Sequence, residues 1–532
     1  MIEQTVIEGI PTLVAPASGP LRGGISFRVG HADETLARSG ITHLIEHLAL
    51  FRHGMADYHY NGATAPTVTH FYSQGSPEDV GAYLNDVCRT LADLPFDRFE
   101  TEKEILRTEA NSRSRSVLEP MSLWRYGAQG HGLAAYPEWG LYALTPDDLR
   151  AWVARYFTRD NAVLWFSGPP PANLRPVLAA GQRMPLPPVT NALATTPAFF
   201  CGPEKTLGLH SVVDRGAAAQ VFVGILEREL FRSLRQEGGY SYTVATDYSP
   251  TDAKTAVIAA LADTNPDKQD AAIGAFVDVL AKLRVGNIDQ DDIDATLSKA
   301  AESLQHPEFD AARLPGAAVD VLIGKPVLSS TQIEAQLAAV TIADVHRVAR
   351  TAHENALLMT PTPVDWAGYE AAPSSSAAPT RDATRYPMIN NSASSLLLGP
   401  DGVSFEEDGR LATVAFAQCA AMLAWPDGGR LLVGTDGVSC RVEPTLFGLP
   451  SESLAGLDAR VPAESLVRMP ARPADAIPKP PAKDAAAERA VPDSEPTGPT
   501  STLGKVLTVV LRIVFLFLLM ACTLTVVFRI LD

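Results

Sequence analysis

The chain has 532 residues, too many for one hydrophobic core, so two to four domains are expected. Apolar residues at 46% and charged residues at 20% describe a globular protein, and a net charge of −17 with no dense basic cluster argues against nucleic acid as a partner. The five cysteines, Cys88, Cys201, Cys419, Cys440 and Cys522, are scattered without a CxxC pair, which argues against a disulfide framework and a thiolate metal site.

The N-terminal MIEQTVIEGIPTLVAP lacks a basic start followed by an apolar run, so no secretory leader is expected. Gly24 to Val29 reads as a strand, Ile41 to Phe51 as a buried helix, and Thr67 to Ser73 as a second, alternating strand. Pro77 to Leu91 and Phe96 to Ser112 carry the period of amphipathic helices. A Pro-rich stretch at 184–197 marks a seam between domains. Beyond it come a helix from about Ala217 to Gln236, a Gly-Gly break, the strand YSYTVATDYS, and helical stretches at 266–284, 288–304 and 331–352. The expected fold class is therefore α+β, with two units of similar size over 1–190 and 198–370 and no residue-level repeat between them.

By composition, 371–387 is a linker. Asp-Gly pairs at Asp401, Asp408, Asp427 and Asp436 alternate with apolar runs and predict a small β-rich module of hairpins over 388–450. Residues 451–503 are expected to be a disordered tether, most clearly in the Pro, Ala, Lys and Glu-rich part from 470. From Val506 to Phe528 the chain is almost wholly apolar, long enough as a helix to cross a hydrocarbon core about 30 Å thick. Arg512 and Arg529 lie close enough to its ends to carry their charges to the headgroups. This predicts a single-pass C-terminal membrane anchor.

The strongest chemical signal is His43-Leu44-Ile45-Glu46-His47. On a helix His43 and His47 are one turn apart and share a face, so both imidazoles can reach one zinc ion, while Glu46 beside them can take a proton from water without being a ligand. A third protein ligand is needed if one coordination position is to stay open. FETEKEILRTEANS offers Glu102 and Glu109, two helical turns apart on one face: one can ligate and the other orient the site from outside. Without the histidines, the same glutamates would read as a solvated acidic face.

GISFRVGHADET followed by GITHLIEHLAL resembles the N-terminal half of the insulinase-type (M16, pitrilysin-like) zinc metallopeptidases, and the resemblance extends over about residues 1–370. YNGAT resembles the family's Asn-Ala-x-Thr strand beside the metal, with Gly62 standing where the family has Ala. EKEILRTE resembles its two-glutamate helix, which implies Glu109 as the zinc ligand and Glu102 as its support. LFRSLRQEGGYSYTV resembles the start of the family's second domain, which implies Arg235 and Tyr242 as substrate contacts. The hairpin module and the anchor lie outside the family pattern.

The resemblance implies a membrane-anchored zinc metalloendopeptidase with one Zn²⁺ per chain and Glu46 as general base. Tyr242 would steady the oxyanion, and Asn61, Gly62 and Arg235 would bind a short or unfolded peptide. The alternative is a catalytically silent scaffold or binding subunit. The family chamber has four α+β domains, of which this chain supplies two, so a homodimer or a pairing with a second M16-type chain is implied. With no leader and a C-terminal span, the catalytic part is expected on the cytoplasmic side.

Overall fold

A computed structural model describes residues 1–51, 59–112 and 118–481. The first unit is a six-stranded sheet built from β1 (Glu3–Ile7), β2 (Ile10–Val14), β3 (Leu21–Phe27), β4 (His59–Thr64), β5 (Thr69–Gly75) and β6 (Ala162–Phe166), in the order β1-β2-β6-β3-β5-β4. β2 and β6 run parallel and the other neighbours antiparallel. β6 reads AVLWF and is buried throughout, because both faces of the sheet are covered. On one face Ile25, Phe27, Leu164 and Phe166 pack against α1 (Ile41–Leu50), α2 (Pro77–Ala92), α3 (Phe99–Ser112) and α5 (Pro146–Tyr156), with α4 (Glu119–Tyr126) lying between α3 and α5 in the chain. On the other face Leu13, Val163 and Trp165 meet the helix Leu314–Leu322.

The second unit holds β7 (Ala198–Cys201), β8 (Thr206–Asp214), β9 (Val244–Pro250), β10 (Thr255–Asp263), β11 (Ala356–Thr360) and β12 (Glu370–Ala371), in the order β12-β7-β11-β8-β10-β9. β7 and β11 are parallel, and β8 is antiparallel to both β10 and β11. Over five strands this is the connectivity of the first sheet again, β7 standing for β2, β8 for β3, β11 for β6, β10 for β5 and β9 for β4; the outer strand differs, β12 coming last and parallel to β7 where β1 comes first and antiparallel to β2. The repeat invisible in the residues is thus present in the topology. α6 (Ala217–Leu230) follows β8 as α1 follows β3, and continues as a π-helical segment, Phe231–Glu237.

The helical stretch expected at 331–352 is two helices, Ser330–Ala338 and Ile342–Glu354. Thr341 and Asp344 form a reciprocal capping box that starts the second one. The helix Leu314–Leu322, LPGAAVDVL, is not among the sequence expectations: nine residues holding a Pro and a Gly are too few to establish a helical period.

The C-terminal part contains two four-stranded sheets. β13 (Thr384–Met388), β14 (Asn391–Leu398), β15 (Gly402–Glu407) and β16 (Arg410–Ala415) form an antiparallel meander. β17 (Cys419–Ala424), β18 (Arg430–Gly434), β19 (Ser439–Val442) and β20 (Leu466–Arg468) form the other, in the order β19-β18-β17-β20. Asp408 and Gly409 both take positive φ, 48° and 76°, as a tight hairpin between β15 and β16 requires.

Two expectations need correction here. The segment 371–387 is not wholly a linker: β12 and β13 pair at its two ends, and Ser376 N donates to Leu411 O. Its Ser and Ala composition hides that backbone pairing. Nor is 451–503 wholly a tether, because Ser451–Asp458 is helical and β20 joins the sheet, with Leu457 and Val467 as buried anchors. Residues 482–532, and with them the apolar stretch 506–528, lie outside the described residues. Among the described residues no helix is long and apolar enough to cross a membrane.

Candidate metal centre

Helix α1 begins at Gly40, whose φ of +89° turns the chain sharply into the helix. The carboxylate of Glu34 caps that start: Oε2 accepts from Gly40 N at 2.8 Å and Oε1 from Thr42 N at 2.9 Å. Burial pushes the Glu34 carboxyl up to about 8, against the pull of these donors. Leu44, Ile45 and Leu48 are fully buried against the sheet, which turns His43 and His47 together toward the half-buried opposite face.

The two imidazoles have ring centroids 4.9 Å apart and stand nearly perpendicular. His43 Nδ1 is 2.9 Å from Glu138 Oε1, and His47 Nδ1 is 3.4 Å from Glu102 Oε2. A carboxylate at each Nδ1 favours the tautomer with the proton on Nδ1 and the ligating lone pair on Nε2. His47 Nε2 lies 3.6 Å from Glu109 Oε2. One ligand atom from each of His43, His47 and Glu109 falls within 4.8 Å of the others, so these three residues can hold a single metal ion. Two neutral imidazoles and one carboxylate form a donor set suited to zinc. Glu102, two turns before Glu109 on α3, is buried and also accepts from Arg98 Nη2 at 3.1 Å. It supports His47 from behind.

Glu46 is buried beside this set, and its Oε2 accepts from Thr64 Oγ1 at 2.7 Å. Thr64 and Gly62 belong to β4, which pairs with β5 and is, among the described residues, the last strand of the sheet. A Cβ at Gly62 would stand 2.7 Å from Glu46 Oε1 and 2.8 Å from its Cγ. The absence of a side chain there makes room for the Glu46 carboxylate. Asn61 is an exposed residue of the same strand: its Nδ2 donates to Tyr72 Oη at 3.3 Å, and its carbonyl accepts from Tyr83 Oη at 2.9 Å.

The structure thus brings His43, Glu46, His47, Glu102, Glu109 and Gly62 together. Arg235 and Tyr242 lie in the second unit. The Arg235 guanidinium sits 5.1 Å from the Tyr242 ring centroid and 5.0 Å from that of Phe231. Asp263 Oδ1 accepts from Tyr242 N and Ser241 Oγ, which fixes the loop and leaves the Tyr242 ring 66% exposed. A second acidic group, Glu229, Asp289 and Asp292, also has ligand atoms within 4.8 Å of one another, but Arg228, Arg232 and Lys282 neutralise it.

Sequence reasoning missed three contributors. Glu34 and Thr64 fall inside quoted motifs but have no spacing that reveals a role. Glu138 is remote in sequence from His43, and a single glutamate in PEWG carries no signal.

Residues 212–299 match the family model described as the peptidase M16 inactive domain. No curated protein matches the chain. Among solved structures, a protease from Helicobacter pylori is similar with a TM-score of 0.56 at 16% identity, over 68% of this chain and 99% of that one. A peptidase M16 inactive domain from Pseudomonas fluorescens has a TM-score of 0.53 at 14% identity, over 70% of this chain and 100% of that one. The periplasmic protease PqqL from Escherichia coli has a TM-score of 0.55 at 12% identity, over 81% of this chain and 55% of that one. What these structures share with the chain is the fold. The family match lies in the second unit and covers α6.

Proposed function

From a chain whose resemblance to the M16 family is borne out by the match over residues 212–299 and by an M16-like α/β fold, we propose a zinc-dependent endopeptidase of the inverted HxxEH type, tethered to a membrane by residues 506–528. The observation that carries this reading is the convergence of His43, His47 and Glu109 beside a buried, hydrogen-bonded Glu46. When bound there, zinc supplies Lewis acidity, polarising a carbonyl and making water a nucleophile near neutral pH.

The remaining chemistry belongs to the chain's own side chains. Glu46, held by Thr64 Oγ1, takes the proton of the attacking water at its carboxylate and passes it to the departing amine. Glu138 and Glu102 hold the imidazoles with Nε2 inward. Among the described residues β4 is the edge strand of its sheet, so an extended peptide can add beside it as a further strand past Asn61 and Gly62. This favours short or unfolded peptides, whose backbones are free to pair.

Arg235 and Tyr242 find their partners within their own unit, so their part in the reaction comes through a pair of chains: Tyr242 of one protomer steadies the oxyanion and Arg235 binds the substrate backbone at the metal centre of the other. A homodimer satisfies this, as does a partner chain of the same fold. Light scattering on residues 1–481 tests it, since a fully active monomer removes the pairing.

A catalytically silent scaffold is the competing reading, suggested by the word "inactive" in the matched family description. That match falls on the half that does not carry His43, Glu46 and His47. Cleavage of a quenched peptide, abolished by a chelator and restored by zinc, supports the peptidase. A metal-loaded chain that cleaves nothing supports the scaffold.

A further inference from the structure

The sheet β19-β18-β17-β20 is apolar on both faces. Met422, Leu432, Cys440 and Val442 turn into the core of the β-rich module. Leu423, Val433 and Val467 alternate to the opposite face. That second face is covered by Leu36, Ala37, Ala128 and Leu133 of the first unit, with Trp139 and Tyr142 packed around them. The backbones also join, because Ala128 N donates to Thr435 O at 3.0 Å. A Cβ at Gly127 would stand 2.2 Å from that same Thr435 O, so a glycine there permits the close approach.

The first-unit residues under the module are those that flank Glu34, which caps the start of α1, and Glu138, which meets His43 Nδ1. Leu36 and Ala37 lie between Glu34 and Gly40, and Trp139 is next to Glu138. The two stretches are tied to each other by Gly140 N donating to Ser39 Oγ at 3.3 Å and by Arg38 Nη1 donating to Ala143 O at 3.2 Å. Between α4 and α5 the chain has only the short 3₁₀ turns Gly130–Ala135 and Trp139–Tyr142. The backbone bonds within this stretch are short-range turns such as Tyr136 N to Leu133 O and Leu141 N to Glu138 O, and packing against the module adds a long-range restraint.

We infer that the β-rich module is a positioning element of the metal centre: seated on Leu36, Ala37, Leu133 and Trp139, it fixes Glu34 and Glu138, and through them the start of α1 and the Nδ1 side of His43. The inference rests on the zinc reading above. It assigns the module a role in metal affinity that neither its hairpin pattern nor the family match supplies.

The test is the equilibrium zinc affinity of the full chain, measured by competition with a chromophoric chelator. Leu423→Ala with Val433→Ala thins the contact from the module side while leaving the module's own core intact, and Leu133→Ala does so from the first unit. Both should weaken zinc binding by about tenfold, the lower end of what loss of an outer-shell partner costs. Leu283→Ala, in the core of the second unit, should lower thermal stability without changing the zinc affinity. In a Glu138→Gln background the contact variants should add only the part of the loss that runs through Glu34, because the link through Glu138 is already cut. An unchanged zinc affinity in folded contact variants overturns the inference, as does a loss that is fully additive with Glu138→Gln. A wild-type chain that takes up no zinc overturns the peptidase reading first and the inference with it.

Discussion

The two six-stranded units share the connectivity of five strands and differ in what they place on one helix. α1 follows β3 and α6 follows the corresponding strand β8, and each starts at a glycine, Gly40 and Gly216. Counted from those glycines, the places of His43, Glu46 and His47 are taken in α6 by Ala219, Phe222 and Val223. Ala219 and Phe222 are buried in the core of the second unit, and Val223 packs against it. The same scaffold is therefore apolar at these positions in one half and carries metal-ligand chemistry in the other. Fold alone does not decide function here; the side chains at three positions on one helix do.

The largest expected effect is at the proton carrier. Glu46→Gln should lower kcat by about 10³-fold or more, within the range of general acid–base catalysis, while zinc content stays at wild-type level. Turnover at the original rate would show that Glu46 is as inert as Phe222, its counterpart in the second unit. Next in size is Glu138→Gln, which should weaken zinc binding by about 10- to 100-fold through loss of the Nδ1 partner of His43. An unchanged affinity would mean that the first unit needs nothing beyond its ligands.

A smaller effect is expected at Gly62→Ala. The new Cβ displaces the Glu46 carboxylate, so kcat should fall several-fold, about 1 kcal/mol in barrier, with zinc affinity unchanged. A crystal structure of that variant with Glu46 undisturbed would contradict it.

The most general prediction concerns pH and stability, not turnover, and it treats the two units alike. Burial pushes the imidazole of His70 in the first unit down to about 4, and burial, then nearby Arg125, pushes His210 in the second down to about 3. Both therefore bind a proton less readily folded than unfolded. Their neutral forms contribute stability that is present above about 6.5 and lost as pH falls toward 4 and 3, on the order of a few kcal/mol each. Urea denaturation of the metal-free chain at pH 7 and pH 5 checks the sign. His210→Gln should lose less stability over that interval than wild type, and an equal loss would remove the His210 contribution.

Much of this was legible in the residues. Regular helices with buried faces, such as α1 and α2, follow from apolar periodicity, and His43, Glu46, His47, Glu102 and Glu109 follow from spacings within a helix, where sequence distance fixes spatial distance. What was hidden depends on long-range contact. Glu138 reaches His43 across 95 residues, and β20 joins β17 through a short strand inside a stretch read as a tether. The repeat of the two sheets was hidden for a different reason: strand order is kept while the residues change, so no local pattern reports it.

The most direct test is an anomalous-scattering map at the zinc absorption edge, from crystals of residues 1–481 grown with zinc. The account predicts one strong peak in each chain, shared by His43 Nε2, His47 Nε2 and a Glu109 oxygen, and its loss in His47→Ala. A map without that peak, or with metal at Asp289 and Asp292 in its place, would contradict it.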